Sequence, residues 1–270
     1  AQDECGAPEL FTGGAKLIAL EGRNGKIPPE VLRRRLDTSG KGFVHAAQPA
    51  AFSVTQTSEA GAVYSAQEIA ELSAIAKDAG LGVHMDGARF ANAMAALNAG
   101  NETVSPADLT WRAGVDVLSF GATKNGALGA EAVILFRTDL AEEMSFRHKR
   151  AGQLASKMRY ISAQLAAYIE DGLWLRLADH ANRMCNQLAE GLGAIDGVRL
   201  DVFGGANELF VELPRETVLA LREESFEFYD WPETIAPGAD RRSTIRLVTR
   251  HDTSMAEVEG MIAAVERLSG

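Results

Sequence analysis

The stretch Asp116–Phe136 reads DVLSFGATKNGALGAEAVILF. An apolar run, Val115–Phe120, empties into the small residues Ser119, Gly121, Ala122 and Thr123 and then into Lys124. Asn125, Gly126, Gly129 and Ala130 follow before a second apolar run, Ala132–Phe136. Apolar runs of this length, bounded by glycine, predict buried strands. A lysine between two of them is either an exposed loop residue or an amine placed for chemistry, because burying an ammonium is costly. A desolvated lysine is the kind of amine that forms Schiff bases. Its small neighbours leave room for a flat cofactor and let backbone groups approach it.

Working outward, the same strand-then-turn pattern recurs. Ala15–Leu20 is a short apolar strand candidate, and Pro28–Leu36 a helix with proline in its first turn. Ala51–Thr57 reads as a strand. Ser65 and Glu68 form a capping-box pair ahead of the stripe Ile69, Leu72, Ile75 and Ala76, and Gly80 ends that helix. Gly82–Met85 is a strand leading into a helix near Ala88, and Ser105 with Asp108 caps a further short helix. Repeated strand–helix alternation predicts an α/β fold, with a mostly parallel sheet covered by helices on both faces. Past Met144 helical periodicity dominates to about Ile195, with one long run through Met158, Ile161, Leu165 and Ile169. Short strands at Val198–Val202, Leu209–Leu213 and Thr244–Val248 and helices at Thr217–Glu224 and Ser254–Leu268 then predict a small α+β carboxy-terminal domain. The division is 1–150 for the large domain and 151–270 for linking helices and the small one.

Two further stretches carry reactive side chains. In VHMDGARFANA (Val83–Ala93), Asp86 stands at the carboxyl end of a predicted parallel strand, where open α/β sheets bind ligands. The same Asp would also serve as an ordinary helix cap. In STIRLVTRHD (Ser243–Asp252), Arg246 interrupts a β-branched run, either as a snorkelling edge residue or as a fork for a carboxylate.

Composition narrows the partners. A net charge of -10 supplies no basic face for nucleic acid or an anionic membrane. No apolar run approaches the ~20 residues of a membrane helix. Cys5 and Cys185 lie far apart without metal or redox spacing, so the expectation is reduced thiols in a cytoplasmic protein and no metal site. The opening AQDECGAPELF lacks an initiator methionine, and the expectation is that sequence precedes it.

The strings DECGAPE, TQTSEAGAVYS, HMDGARFANA, SFGATKNG and RLVT occur in the order found in low-specificity L-threonine aldolases, members of the β-eliminating lyase group of fold-type I pyridoxal-phosphate enzymes. The chain resembles that family along essentially its whole length. The resemblance implies pyridoxal 5'-phosphate held by Lys124, with Asp86 on the pyridine nitrogen and Arg89 and Thr123 beside the cofactor. It implies Arg246, with Arg89, on the carboxylate of an amino-acid substrate, and retro-aldol cleavage of a threonine-like β-hydroxy amino acid to glycine and an aldehyde. Other reactions at the same carbon, β-elimination or racemisation, share the cofactor, and a fragment without turnover is a third reading.

Departures from the family pattern leave the base open. Relatives of another branch carry a histidine where this chain has Ser58, so Ser58, Glu59 or the strand residue His84 is the candidate region. His84 is also readable as a satisfied core histidine, and His148, His180 and His251 as surface residues. The family's phosphate loop and ring-stacking histidine are absent from these 270 residues. The basic segment Arg147–Lys157, with Lys149 and Lys157, is either a solvated helix face or a reach toward a neighbouring subunit's phosphate site. A homodimer or homotetramer is what the resemblance implies.

Overall fold

The computed structural model describes residues 4–100, 103–231 and 242–269. Asp3, the first letter of DECGAPE, lies outside them. A short helix α1 (Ala7–Phe11) and helix α2 (Pro29–Asp37) precede the first sheet. That sheet has the order β1 (Ala51–Thr55), β2 (Gly82–Gly87), β3 (Val117–Gly121), β4 (Glu131–Leu135). β1, β2 and β3 are parallel and β4 runs antiparallel to β3. The connection from β3 to β4 spans only residues 122–130, too short for the crossover that a parallel partner requires.

Helix α3 (Ala66–Asp78) crosses between β1 and β2, and its start has the expected chemistry: Ser65 and Glu68 form a reciprocal capping box. Helix α4 (Phe90–Leu97) follows β2. Phe52, Val54, Val83, Met85, Leu118 and Phe120 project from one sheet face into a core with Ile69, Leu72, Phe90 and Met94. Ser53, Thr55, His84, Asp86 and Ser119 line the other face, which is largely uncovered among the described residues. Period-two alternation therefore sorts this sheet into an apolar side and a polar one.

Three helices link the two halves: α5 (Ala141–Arg150), α6 (Arg159–Ile169) and α7 (Leu173–Gly193). The periodic run ending at Ile169 stops because Asp171 and Gly172 both take positive φ. Trp174 and Ala178 of α7 join the first core, whereas Met184, Cys185, Leu188 and Leu192 join a second. The second core is covered by an antiparallel sheet ordered β5 (Arg199–Phe203), β6 (Glu208–Pro214), β8 (Arg242–Val248), β7 (Tyr229–Asp230), with helices α8 (Arg215–Glu223) and α9 (Met255–Ser269).

Two expected elements do not form. Residues 15–20 are irregular, with Leu17 and Ile18 exposed; among the described residues no strand lies alongside to complete a ladder, and an unpaired strand has little to hold it. At Ser105–Asp108 the capping hydrogen bonds are made, but residues 106–110 close into turns. Thr110 adopts φ -123°, ψ -104°, which ends any helical path there.

The strand ends that matter are brought together by two glycines. A Cβ on Gly87 would stand 2.7 Å from the Ser119 carbonyl oxygen, and one on Gly121 would stand 2.8 Å from both Cα and O of Ala88. The turn after β2 thus lies directly over the end of β3, with no room for a side chain. Because the obstruction at Gly121 is backbone, Gly121→Ala is expected to cost about 1–3 kcal/mol, the usual range for overpacking. Urea unfolding measures it, and an unchanged midpoint would rule out so close an approach.

Candidate active site

At the carboxyl ends of β1, β2 and β3, three loops converge. In the register of the sheet Thr55 lies beside Asp86, and Asp86 beside Ser119. Asp86 accepts a hydrogen bond from the Ala88 N–H at 3.0 Å through Oδ1. Its other oxygen takes no partner among the described residues. The capping role and a ligand role are therefore compatible, one oxygen serving each.

Lys124 sits three residues past β3, in a single helical turn at Thr123–Asn125. The flanking strands are as expected, but this turn lifts the amine out of them, and Lys124 is exposed within the chain. The turn is nevertheless fixed. Asn125 is buried and donates to the Tyr168 hydroxyl at 2.7 Å and to the Trp174 carbonyl at 2.9 Å. On the other side the Thr123 N–H donates to Glu131, and its hydroxyl accepts from the Ala130 N–H at 3.1 Å. Burial raises the Tyr168 phenol to about 12, opposed by its contact with Asn125, so it stays a neutral anchor at any ordinary pH. Asn125 was not singled out in the sequence; its place immediately after the lysine was the available signal.

Arg89, at the start of α4, is only 8% exposed and pairs with Glu208 at 2.9 Å. Glu208, the first residue of β6, is fully buried. Arg246 reaches the same carboxylate from β8, its Nε 3.4 Å from Glu208, and extends Nη1 to Glu59 at 3.0 Å. The Arg246 guanidinium also lies over the rings of Tyr229 and Trp231, 5.8 and 5.7 Å from their centroids. Burial pushes the Glu208 carboxyl up, while Arg89, Arg246 and, at longer range, Lys124 pull it back down. Glu208 was missed in the sequence because ANELFVELP reads as a strand beginning at the apolar Leu209.

The candidate base residues differ in how far they are committed. The Ser58 hydroxyl is buried, donates to the Asn24 carbonyl at 2.8 Å and accepts from the Ala62 N–H at 3.1 Å. His84 is held at both ring nitrogens, Nδ1 by the Ser53 hydroxyl at 2.8 Å and Nε2 by the Ser119 hydroxyl at 2.9 Å. Glu59 is exposed and touches only Arg246 among these groups. In the basic segment, Arg147 pairs with Glu143 at 2.6 Å, and Lys149 and Lys157 are exposed. Of the histidines expected at the surface, His180 is half-buried and bonded to the Thr253 carbonyl at 2.7 Å, and His251 packs beside Gly126. Both fill the seam between α7 and the loop after β8, which periodicity alone does not reveal.

Burial lowers the His84 pKa below its ordinary 6.5, and the nearby Asp86 charge offsets part of that. The unfolded chain therefore binds a proton that the folded chain resists. Stability that depends on neutral His84 is present above the ordinary histidine pKa and is lost as the pH falls through the depressed folded value. An NMR titration is expected to put the His84 midpoint below 6.5, and His84→Gln to flatten acid destabilisation in that window. A midpoint at or above 6.5 contradicts the burial account.

Known proteins resemble this chain in sequence and in fold. The profile described as Beta-eliminating lyase matches residues 1–212. A low specificity L-threonine aldolase of Pseudomonas aeruginosa is 45% identical over 231 residues, covering 84% of this chain and 64% of that protein. Another, from a Pseudomonas species, is 41% identical over 267 residues, covering 97% of this chain and 72% of that protein. The structure of a Leishmania major threonine aldolase superposes with a TM-score of 0.87 at 28% identity, over 100% of this chain and 74% of that one. The chain thus spans about two thirds to three quarters of these relatives' lengths, and on the matched residues it belongs to the β-eliminating lyase family.

Proposed function

We propose that this chain carries the lysine, aspartate and arginine apparatus of a pyridoxal-phosphate-dependent aldolase that cleaves threonine-like β-hydroxy amino acids to glycine and an aldehyde. The observation that carries the reading is the path Asp86–Arg89–Glu208–Arg246. It brings an arginine of the second sheet to the strand end where Asp86 and the Lys124 turn emerge. The similar Pseudomonas proteins are low specificity L-threonine aldolases, and they supply the reaction type.

The donor set suits the cofactor. Lys124 offers an accessible primary amine, and among the described residues one Asp86 carboxylate oxygen and the buried Thr57 hydroxyl on the loop after β1 have no hydrogen-bond partner. Lys124 would hold the cofactor covalently, with Thr123 and Arg89 lining its surroundings. Asp86 would keep the proton on the ring nitrogen by its negative charge. When bound, pyridoxal phosphate supplies an electron sink for the pair released from Cα.

The protein's own part is orientation and proton handling. Arg246, with Arg89 behind it, binds the α-carboxylate through a planar fork, and so sets how the bonds at Cα lie. For cleavage the Cα–Cβ bond breaks while the β-hydroxyl loses its proton and becomes the aldehyde carbonyl. Glu59 is the group we assign to take that proton, since Ser58 and His84 already have both hydrogen-bonding sides engaged. A substrate carboxylate arriving at Arg246 would release Glu59 from its present ion pair and leave it beside the substrate. A proton returned to Cα gives glycine.

Assembly and location belong to the same proposal. Phe146, Leu154 and Tyr160 are exposed apolar groups along α5, α6 and the link between them, beside the basic segment with Lys149 and Lys157. They support a homodimer or homotetramer in which that segment approaches a neighbour's phosphate site. Two unbridged cysteines suit a cytoplasmic enzyme. No helix among the described residues is long and apolar enough to cross a membrane.

Incubated with pyridoxal phosphate and threonine, allo-threonine or phenylserine, the protein is expected to release glycine and the matching aldehyde. Lys124→Ala should abolish release, and borohydride reduction followed by peptide mapping should place the cofactor on Lys124. A label on Lys16, Lys77 or Lys149 would overturn the assignment. Arg246→Lys keeps the charge but loses the fork. It should cut kcat/KM at least about tenfold with the cofactor spectrum unchanged, a loss of roughly 1.4 kcal/mol in transition-state binding; an unaltered substrate dependence makes Arg246 a strand residue only.

A further inference from the structure

Both arginines assigned above lean on a side chain that the reaction does not use. Glu208 has no exposed surface, and its neighbours along β6, Leu209, Phe210 and Val211, are buried and apolar. An apolar residue would satisfy such a position, since buried ion pairs seldom stabilise a fold more than a well-packed hydrophobic replacement does. The fold therefore gives no reason for a carboxylate here; the two arginines give one.

The contacts are of an unusual kind. Glu208 stands 2.9 Å from Arg89 Nη2 and 3.4 Å from Arg246 Nε, yet neither carboxylate oxygen makes a well-aligned hydrogen bond, nor does either arginine Nε. The carboxylate holds both guanidiniums chiefly by charge. Gly61 sharpens the constraint: its positive φ of 73° turns the loop after β1 onto the Glu208 backbone, where a Cβ would meet the carbonyl oxygen at 3.2 Å. The backbone that carries Glu208 is thus packed closely by that loop. Glu59, by contrast, is 58% exposed and holds Arg246 from the solvent side. One carboxylate is fixed and one is free to leave.

Charge decides what replaces the one that leaves. Arg89 and Arg246 carry two positive charges, and the ionised Glu208 cancels one. With Glu59 swung away, a single positive charge is left for a ligand. Resting on the reading of Arg246 as the carboxylate fork, we propose that Glu208 is a positioning and specificity residue. It locks Arg246 against Arg89 and tunes the pair to accept one carboxylate, with Glu59 holding that place in the free protein. Ligands presenting two carboxylates at this point are disfavoured, because the second finds no unbalanced charge and faces Glu208.

The test compares acetate and malonate, whose affinities for the cofactor-loaded protein are measured by calorimetry, with threonine kinetics alongside. In Glu208→Gln the shape is kept and the charge removed. Malonate is expected to gain about tenfold over acetate, and kcat to fall about tenfold without a rise in KM. Glu208→Asp, which keeps the charge but shortens the reach, should leave the malonate-to-acetate ratio as in the parent while lowering kcat. It also carries the test should Glu208→Gln fail to fold. An unchanged ratio in Glu208→Gln, an unchanged kcat in Glu208→Asp, or a KM that rises in step with a lost melting temperature would each overturn the proposal. Arg246→Lys separates the two readings. If it leaves both affinities untouched, the carboxylate reading of Arg246 fails; if it weakens both while Glu208→Gln alters nothing, only the role of Glu208 falls.

Discussion

A carboxylate with no exposed surface, held between one guanidinium at a helix start and another from the second sheet, is the contact on which the geometry of this site turns. Arg89 starts the helix that packs under the first sheet, Arg246 lies in the middle of the second, and Glu208 meets both. Leaving any one of three such charges alone in the interior is strongly unfavourable, so the three keep one another in place. Neutral hydrogen bonds run parallel to this tie: Asn92 and Asn182 join α4 to α7, and the Thr249 hydroxyl donates to the Ala181 carbonyl. Because α7 contributes to both hydrophobic cores, the relative placement of the two sheets is settled by packing along that helix and refined by the charges at its side.

The first sheet was legible because its signals are local. Apolar alternation marks β1 to β4, Ser65 and Glu68 announce α3, and the glycines after Asp86 and before Lys124 mark sharp turns. What remained hidden depends on partners distant along the chain. The run at residues 15–20 has the composition of a strand, but composition does not supply a neighbour to pair with. β7 is two residues long and exists because it pairs with β8, so no periodicity could disclose it. Glu208 is the clearest case. Nothing within ten residues distinguishes it from an exposed strand-end glutamate, and its burial follows from Arg89 and Arg246 arriving by separate routes.

Lys124 shows the opposite failing, a local argument whose premise of burial the structure does not bear out. The expectation rested on desolvation between two strands, yet the amine stands clear of them within this chain. What is constrained is the backbone beneath it, through Asn125 on one side and Thr123 on the other. For a residue proposed to bond covalently to a ligand, a rigid base and an accessible amine are more useful than burial, since an ammonium locked in the core could not exchange partners. The small residues around it serve that accessibility, and Gly121 in particular lets the turn after β2 lie against the end of β3.

Selection among reactions at one carbon follows from this arrangement. A cofactor that withdraws electrons from Cα favours breaking whichever bond stands across its plane, so the choice passes to the group that fixes the substrate's orientation. Under the proposed function that group is not a lone arginine. Arg246 is held on its faces by Tyr229 and Trp231, at its Nε edge by Glu208, and through Glu208 by Arg89 beneath the turn that carries Asp86. Asp86, near the end of β2, and Arg89 lie three residues apart, so the carboxylate proposed to face the ring and the cation beside the proposed substrate fork share a single piece of backbone. Any displacement of that segment moves both together, which in the proposed reaction would tie the orientation of the scissile bond to the position of the electron sink.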